Sequence, residues 1–444
     1  MTQPPPCVCV IGLWHLGCVY SACLAKLGYK VAATDADQKV VENLRQSKVP
    51  VAEPGLDNLI REGITEGNLS FVGDLENAVR TADFVVIAYD TPLDTEDRID
   101  LSPVLDAVNR LRNVATHATI VVSSQVPIGT CERMVAMLSK GAEPLDLAYV
   151  PENLRLGRAI ECFMNPDRIV IGSDSPSAIA KVRALFAPIH AKVIEMDLRS
   201  AEMSKHALNA FLGTAISFAN EIGNICDLVG ADGLKVAEAL KSDSRIGSRL
   251  PLRPGLGFAG GTLARDLRIL QNAGREHGCE TLLVDSVLHV NESQNASILG
   301  RLQQLLGKLE GKSIGVLGLT YKTGTSTLRK SAALGIIRRL QREGANVKAF
   351  DPRVSATDVV DLTSESLLMC DDAYAVCDSA DVLMILNDCE DFVKLNFKKV
   401  RQLMKEPLLF DAQNLLDRNK IVDDGFRYVG IGRGVRQRFS AKED

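Results

Sequence analysis

No stretch of the 444-residue sequence reaches the roughly 18 consecutive apolar residues that a membrane-spanning helix needs. The start, MTQPPPCVCVIG, carries neither a basic leader nor a small-residue cleavage site, so a cytoplasmic protein with no membrane partner is the expectation. The 11 cysteines include no C-x-x-C pair and their total is odd. Neither a disulfide framework nor a zinc site is indicated, no metal is expected, and most of the thiols read as small buried hydrophobes. Basic excess is missing too: the formal net charge is -5, which argues against tracking nucleic acid or an anionic membrane by bulk electrostatics. Any anionic ligand must therefore meet local donors. What remains is ordinary globular material, 46% hydrophobic and 24% charged. At this length two or three domains are expected.

Cys7 to Ile11 is a short apolar strand, followed by the turn GLWHLG and by VYSACLAKLGYKV, whose apolar positions fit a helix closing at Gly28. A second strand, Lys30 to Thr34, ends in Asp35. Strand, glycine turn, helix, strand, acid is the dinucleotide-binding order, in which turn and helix N-terminus receive the pyrophosphate and the acid receives the adenosine ribose. Asp35 lies 18 residues after Gly17, close to the spacing of about 20 that this arrangement uses. A carboxylate there repels a 2′-phosphate and favours NAD over NADP. Gly12 and Gly17 fit the G-x-G-x-x-G pattern, but Trp14, the only tryptophan, stands at the middle glycine that lets backbone approach the pyrophosphate. Either its side chain points away from the cofactor or the phosphates sit differently; a plain strand–helix turn without ligand is the simpler alternative.

Further strands are expected at Ser70 to Val72, Phe84 to Ala88, Thr119 to Ser123, Asp146 to Val150 and Arg168 to Gly172, separated by helical stretches such as Leu101 to Val114. Such alternation implies a mainly parallel sheet with ligand-facing loops at the strand C-terminal ends, among them the ends of TADFVVIAYDTP, SSQVPIGT and YVPENLRLG. Ala201 to Val229 is long, apolar-periodic and proline-free, and reads as one helix. Lys205 and Asn209, four apart, share a face of it; in the bland reading they are a solvated lysine and a surface asparagine. Near Lys312 the N-terminal pattern returns: KSIGVLGLTY is strand then turn, SAALGIIRRLQREGANV is helix then glycine, and KAFDP is a strand ending at Asp351. Strands at Val382 to Leu386 and Leu408 to Asp411 continue it. The expected fold is α/β, with two doubly wound Rossmann-like domains, residues 1–199 and 301–444, joined by a helical central domain, 200–300.

With those residues assembled, the chain resembles the UDP-glucose/GDP-mannose dehydrogenase family, whose members oxidise the C6 alcohol of a nucleotide sugar to a carboxylate with two NAD. The ordered matches span nearly the whole length: the fingerprint turn, Asp35 with Lys39, EPGL at Glu53 to Leu56, VPIGT, the loop Pro151 to Gly157, PDRIVIG, the Lys205/Asn209 helix, DSRIG, GFAGGTLARD, VLGLTYK with Arg329, FDP and YVGIGR. The resemblance implies cofactor contacts from Gly12, Leu13, Trp14, His15, Leu16, Gly17, Asp35, Lys39, Thr91, Pro92 and Arg329. It implies nucleotide-sugar contacts from Glu152, Asn153, Leu154, Lys205, Asn209, Arg245, Leu256, Gly257, Phe258, Gly261, Tyr321 and Lys322. Lys205 and Asn209 match the pair that holds the reacting oxygen, and Asp266 matches the aspartate that orders a catalytic water with the lysine. A homodimer built on the long helix, with Arg245 reaching the ligand across the interface, is also implied.

Three catalytic positions depart from the family pattern: its cysteine is Thr262, a threonine is Gln125, and the second glutamate of P-E-x-L-x-E-G is Leu156. A thiol ionises near pH about 8.5 and adds to the aldehyde intermediate, whereas a threonine hydroxyl ionises far less readily. A loop hydroxyl bonded locally is the simpler role for Thr262, and Cys162 reads as a structural thiol rather than a surrogate. Three functions follow as alternatives: oxidation to the uronate through an aldehyde hydrate, oxidation stopping at the 6-aldehyde, or binding of NAD and nucleotide sugar without turnover. The first is the expectation.

Overall fold

A computed structural model describes residues 5–91, 99–114, 116–140, 145–258, 261–328, 331–359 and 367–434. The chain divides into two compact units, Met1–Ala207 and Leu208–Asp444. In the first, β1 (Cys7–Ile11), β2 (Lys30–Thr34), β3 (Leu69–Phe71), β4 (Phe84–Ile87), β5 (Thr119–Val122), β6 (Leu147–Tyr149), β7 (Arg168–Gly172) and β8 (Lys192–Met196) form one sheet in the order β3-β2-β1-β4-β5-β6-β7-β8. β1 to β6 are parallel, β7 runs antiparallel to β6, and β8 is parallel to β7. Helical crossovers cover both faces, so the central strands β1, β4, β5 and β6 are buried on both sides and read as apolar runs. Val8 and Val10 enter one core cluster while Cys9 and Ile11 enter the other. The strand order reverses between β1 and β4, which opens a ligand crevice at their carboxyl ends.

The second unit repeats the plan. β9 (Ser313–Leu317), β10 (Asn346–Phe350), β11 (Leu367–Met369), β12 (Val382–Ile385), β13 (Leu408–Asp411) and β14 (Arg427–Gly430) pair in parallel in the order β11-β10-β9-β12-β13-β14. Before this sheet come the helices Gly233–Ser242, Leu263–Glu276 and Leu282–Leu306, and the 32-residue helix Leu198–Val229 leads from the first unit into the second. The fold is therefore α/β with two Rossmann-like sheets and a helical middle. Among the described residues no helix is long and apolar enough to cross a membrane.

Some boundaries move for identifiable reasons. β3 is Leu69–Phe71, not 70–72, because Leu69 and Phe71 are the buried pair and Ser70 between them is exposed. The helix expected over 101–114 is Ser102–Leu111, and the one expected to close at Gly28 ends at Lys26. The long helix starts at Leu198, three residues early, because Asp197 accepts from both Ser200 N (2.8 Å) and Ser200 Oγ (2.7 Å) at its first turn. β8 escaped the sequence reading, since KVIEM is a short and largely exposed edge strand.

Candidate active site

The turn after β1 is shaped by two glycines that nothing else could replace. Gly12 has φ +94°, and a Cβ there would lie 2.8 Å from the Tyr89 ring; a Cβ on Gly17 would overlap the Gly12 carbonyl oxygen outright. Asp35, just past β2, folds back on this turn: its Oδ2 accepts from Leu13 N at 2.6 Å and its Oδ1 from Asp37 N at 2.9 Å. Trp14 occupies the N-cap of helix His15–Lys26 with no side-chain capping bond and is 51% exposed, so its indole points outward and does not fill the turn. Leu16 is buried and Lys39 exposed. Thr91 is buried and donates to Gln125 O at 2.7 Å. Pro92 and Arg329 lie outside the described residues. A tight glycine turn and helix N-terminus that donate, with an accepting acid at the end of β2, are the groups a dinucleotide needs, and the residues fit NAD.

The loop after β6 carries the second group of the first unit. Lys205, 5% exposed, donates to Glu152 O at 2.6 Å and pairs with Glu152 Oε1 at 3.1 Å. Glu152 Oε2 accepts from Leu154 N at 2.9 Å, and Asn153 Nδ2 donates to Pro151 O at 3.2 Å. A buried ammonium held this way is a directed cation, and the solvated-lysine reading is corrected. On the same helix, fully buried Glu202 accepts from Gly129 N (2.5 Å) and Cys131 N (2.8 Å), and His206 Nε2 lies 2.9 Å from Val126 O. These two residues clamp the VPIGT loop beside buried Gln125; burial pushes the Glu202 carboxyl above its ordinary value. Leu156 and Cys162 are half-buried, and Cys162 lines a small cavity with Tyr20, Leu154, Phe163 and Phe186. Glu53, quoted for its motif but given no role in the sequence reading, accepts from His15 Nε2, Gly157 N and Ala159 N, each at 2.8 Å.

In the second unit, Asn209 Nδ2 donates to Asp266 Oδ2, and both residues are buried, at 6% and 0% exposed, which corrects the surface-asparagine reading. Thr262 is the N-cap of helix Leu263–Glu276 and its carbonyl accepts from Asp266 N at 3.1 Å. Its side chain makes no capping bond; burial raises the pKa of Tyr321 in the turn after β9. Leu256 and Phe258 are core residues, Gly257 N donates to Asn295 Oδ1 at 3.1 Å, and a Cβ on Gly261 would meet open space. Arg245 is exposed and paired with Asp243 at 2.7 Å, while Lys322 is half-buried. The turn after β9 repeats that after β1 with one change. Asp351 Oδ2 accepts from Leu319 N (2.8 Å), Thr320 N (3.0 Å), Thr320 Oγ1 (3.1 Å) and Asn387 Nδ2 (3.0 Å), and the acid is only 2% exposed.

Comparison with known proteins agrees with this arrangement. Residues 7–190 match the NAD binding domain of the UDP-glucose/GDP-mannose dehydrogenase family, residues 199–293 its central domain, and residues 315–418 its UDP binding domain. The chain is 37% identical over 430 residues to UDP-glucose 6-dehydrogenase TuaD of Bacillus subtilis, covering 96% of this chain and 93% of that protein. It is 34% identical over 441 residues to a UDP-glucose 6-dehydrogenase of Pseudomonas aeruginosa, covering 96% and 97%. A UDP-glucose dehydrogenase structure from the archaeon Pyrobaculum islandicum superposes with TM-score 0.89 at 30% identity, covering 98% of this chain and all of that one. Two Rossmann-like sheets, a glycine turn closed by Asp35 and matches running through all three domains lead to one conclusion: the chain belongs to the UDP-glucose/GDP-mannose dehydrogenase family and is an NAD-dependent nucleotide-sugar oxidoreductase.

Proposed function

We propose that the protein oxidises the C6 alcohol of UDP-glucose to the uronate, in two steps, without a covalent thiol intermediate. The observation that carries this reading is the buried hydrogen bond between Asn209 and Asp266 together with the directed ammonium of Lys205, groups suited to hold an alkoxide and a water. Bound NAD supplies the hydride acceptor. Lys205 and the Asn209 amide hold the C6 oxygen, and Asp266 takes up the proton through an ordered water. Water then adds to the 6-aldehyde to give the hydrate, and a second hydride loss, to a second NAD and with release of two protons, leaves the carboxylate. A threonine hydroxyl ionises far less readily than a thiol, so in this reading Thr262 donates a hydrogen bond and does not attack. Gln125 and Glu152 line the same chemistry. The substrate follows from the names of the relatives and from the match to a UDP binding domain.

The assignment of segments 1–199, 200–300 and 301–444 to cofactor binding, dimerisation and nucleotide-sugar binding belongs to the same proposal. A homodimer is supported by the long helix, where Phe211, Phe218 and Ile225 recur every seven residues and are 59%, 48% and 48% exposed. In that dimer Arg245 reaches the partner's substrate. Eleven free cysteines suit a reducing, cytoplasmic setting. The deciding measurement is NADH formed per sugar consumed, with the product identified by mass, over a panel of UDP-, GDP- and dTDP-sugars. Two NADH and a uronate from UDP-glucose support the reading. One NADH and a free aldehyde favour the shorter reaction that Thr262 at the cysteine position suggests, and binding without NADH removes both.

A further inference from the structure

We propose that Glu53 is a positioning residue that ties the Pro151–Gly157 loop to the cofactor turn through His15, so that a filled turn holds Lys205 in place. The inference rests on the reading of Lys205 as the group that meets substrate. Glu53 is 5% exposed and uses both carboxylate oxygens: Oε1 accepts from Ala159 N, and Oε2 from Gly157 N and His15 Nε2, each at 2.8 Å. His15 opens the helix that follows the Gly12 turn. Gly157, at φ +85°, closes the loop, and Ala159 begins the next helix. At the loop's other end the Glu152 carbonyl and carboxylate hold the Lys205 ammonium at 2.6 and 3.1 Å. A single carboxylate thus joins the segment that frames the cofactor to the segment that aims the lysine.

Beside Glu53 the loop borders an open cavity of about 530 Å³ lined by Lys26, Pro54, Gly157, Arg158 and Ile160. On that side the two amides that Glu53 accepts help fix the loop's position. Removing the carboxylate strands those amides, and an unsatisfied buried N–H is costly enough to let the loop shift. A rearranged His15 releases one of three donors and leaves the other two, so it changes the coupling more than the fold.

Hydrogen exchange reads this directly and independently of turnover. Amide exchange is followed in peptides covering residues 8–27 and 151–164, with and without saturating NAD, in wild type, His15→Leu, His15→Gln and Glu53→Gln. In wild type NAD should slow exchange at least threefold in both segments. At NAD concentrations that still saturate His15→Leu the second segment should lose its NAD protection, and His15→Gln, whose amide can donate to Glu53, should restore it. Glu53→Gln keeps the side chain's size and should show the same loss at 157–159, with kcat lowered at least tenfold. NAD that leaves the second segment unchanged in wild type, or that protects it fully in Glu53→Gln, overturns the proposal. If the reaction assigned above is wrong but the tie is real, the exchange pattern persists while the product assay fails.

Discussion

Lys205→Met is the perturbation with the most to say, because it removes one half of a nearly buried ion pair and one proposed substrate contact at once. Lys205 is 5% exposed and Glu152 17%, and the ammonium also satisfies the Glu152 carbonyl. Breaking a buried pair by deleting one partner costs about 3–5 kcal/mol, and the residual exposure of Glu152 places this case near the lower figure, about 3 kcal/mol. For a unit of this size 1 kcal/mol moves the melting temperature by roughly 2–4 °C, so a drop of about 6–12 °C is expected. Loss of a preorganised donor at a developing oxyanion lowers kcat by about 10²–10³-fold. Calorimetry and NADH formation on the same samples give both numbers. Adding Glu152→Gln removes the stranded charge and should recover part of the melting temperature but none of the rate. A folded Lys205→Met with kcat within tenfold of wild type, or a double variant less stable than the single, would refute this account of the pair.

Gly17→Ala forces the helix off the Gly12 carbonyl by on the order of 1 Å and should cut kcat/KM for NAD by about 10²-fold, measured by steady-state titration. Phe218→Glu places a charge in the exposed apolar stripe of the long helix; sedimentation should show a monomer, with activity lost alongside. Glu202 is raised above its ordinary value of 4.5 by burial, so the proton it binds stabilises the folded chain at low pH and that contribution fades as pH rises through the folded pKa. The melting-temperature advantage of wild type over Glu202→Gln should therefore shrink as pH is raised above 4.5, and an advantage that grows contradicts the assignment. Iodoacetamide should label exposed Cys279 by mass while NADH formation survives, since no thiol takes part in the proposed reaction.

The central strands of both sheets were legible because parallel strands covered by helices are apolar on both faces and glycine turns punctuate them, whereas the edge strands β8, β11 and β14 were not read. Gly12 and Gly17 were found by spacing, and the geometry gives each a steric reason. Residues whose roles depend on distant partners were not legible: Glu53 reaches His15 across 38 positions and Ala159 across 106, and no local pattern carries that information. Burial of Lys205 and Asn209 was hidden for a related reason, since a helix of mixed polarity does not announce which polar face is covered. Capping by Asp197 was readable in the D-L-R-S run, and the early start of the long helix could have been found there.

Asp35 and Asp351 stand at corresponding places in two sheets of the same order, yet they leave their turns in opposite conditions. Asp35 takes one backbone donor from its glycine turn, Leu13 N, whereas Asp351 claims two N–H groups and a hydroxyl of its turn and the Asn387 amide. A diphosphate arriving at the second turn would have to evict a buried carboxylate before finding a donor. Repetition of an architecture here does not repeat its wiring: the first turn spends one of its amides on its acid, the second spends two and a hydroxyl.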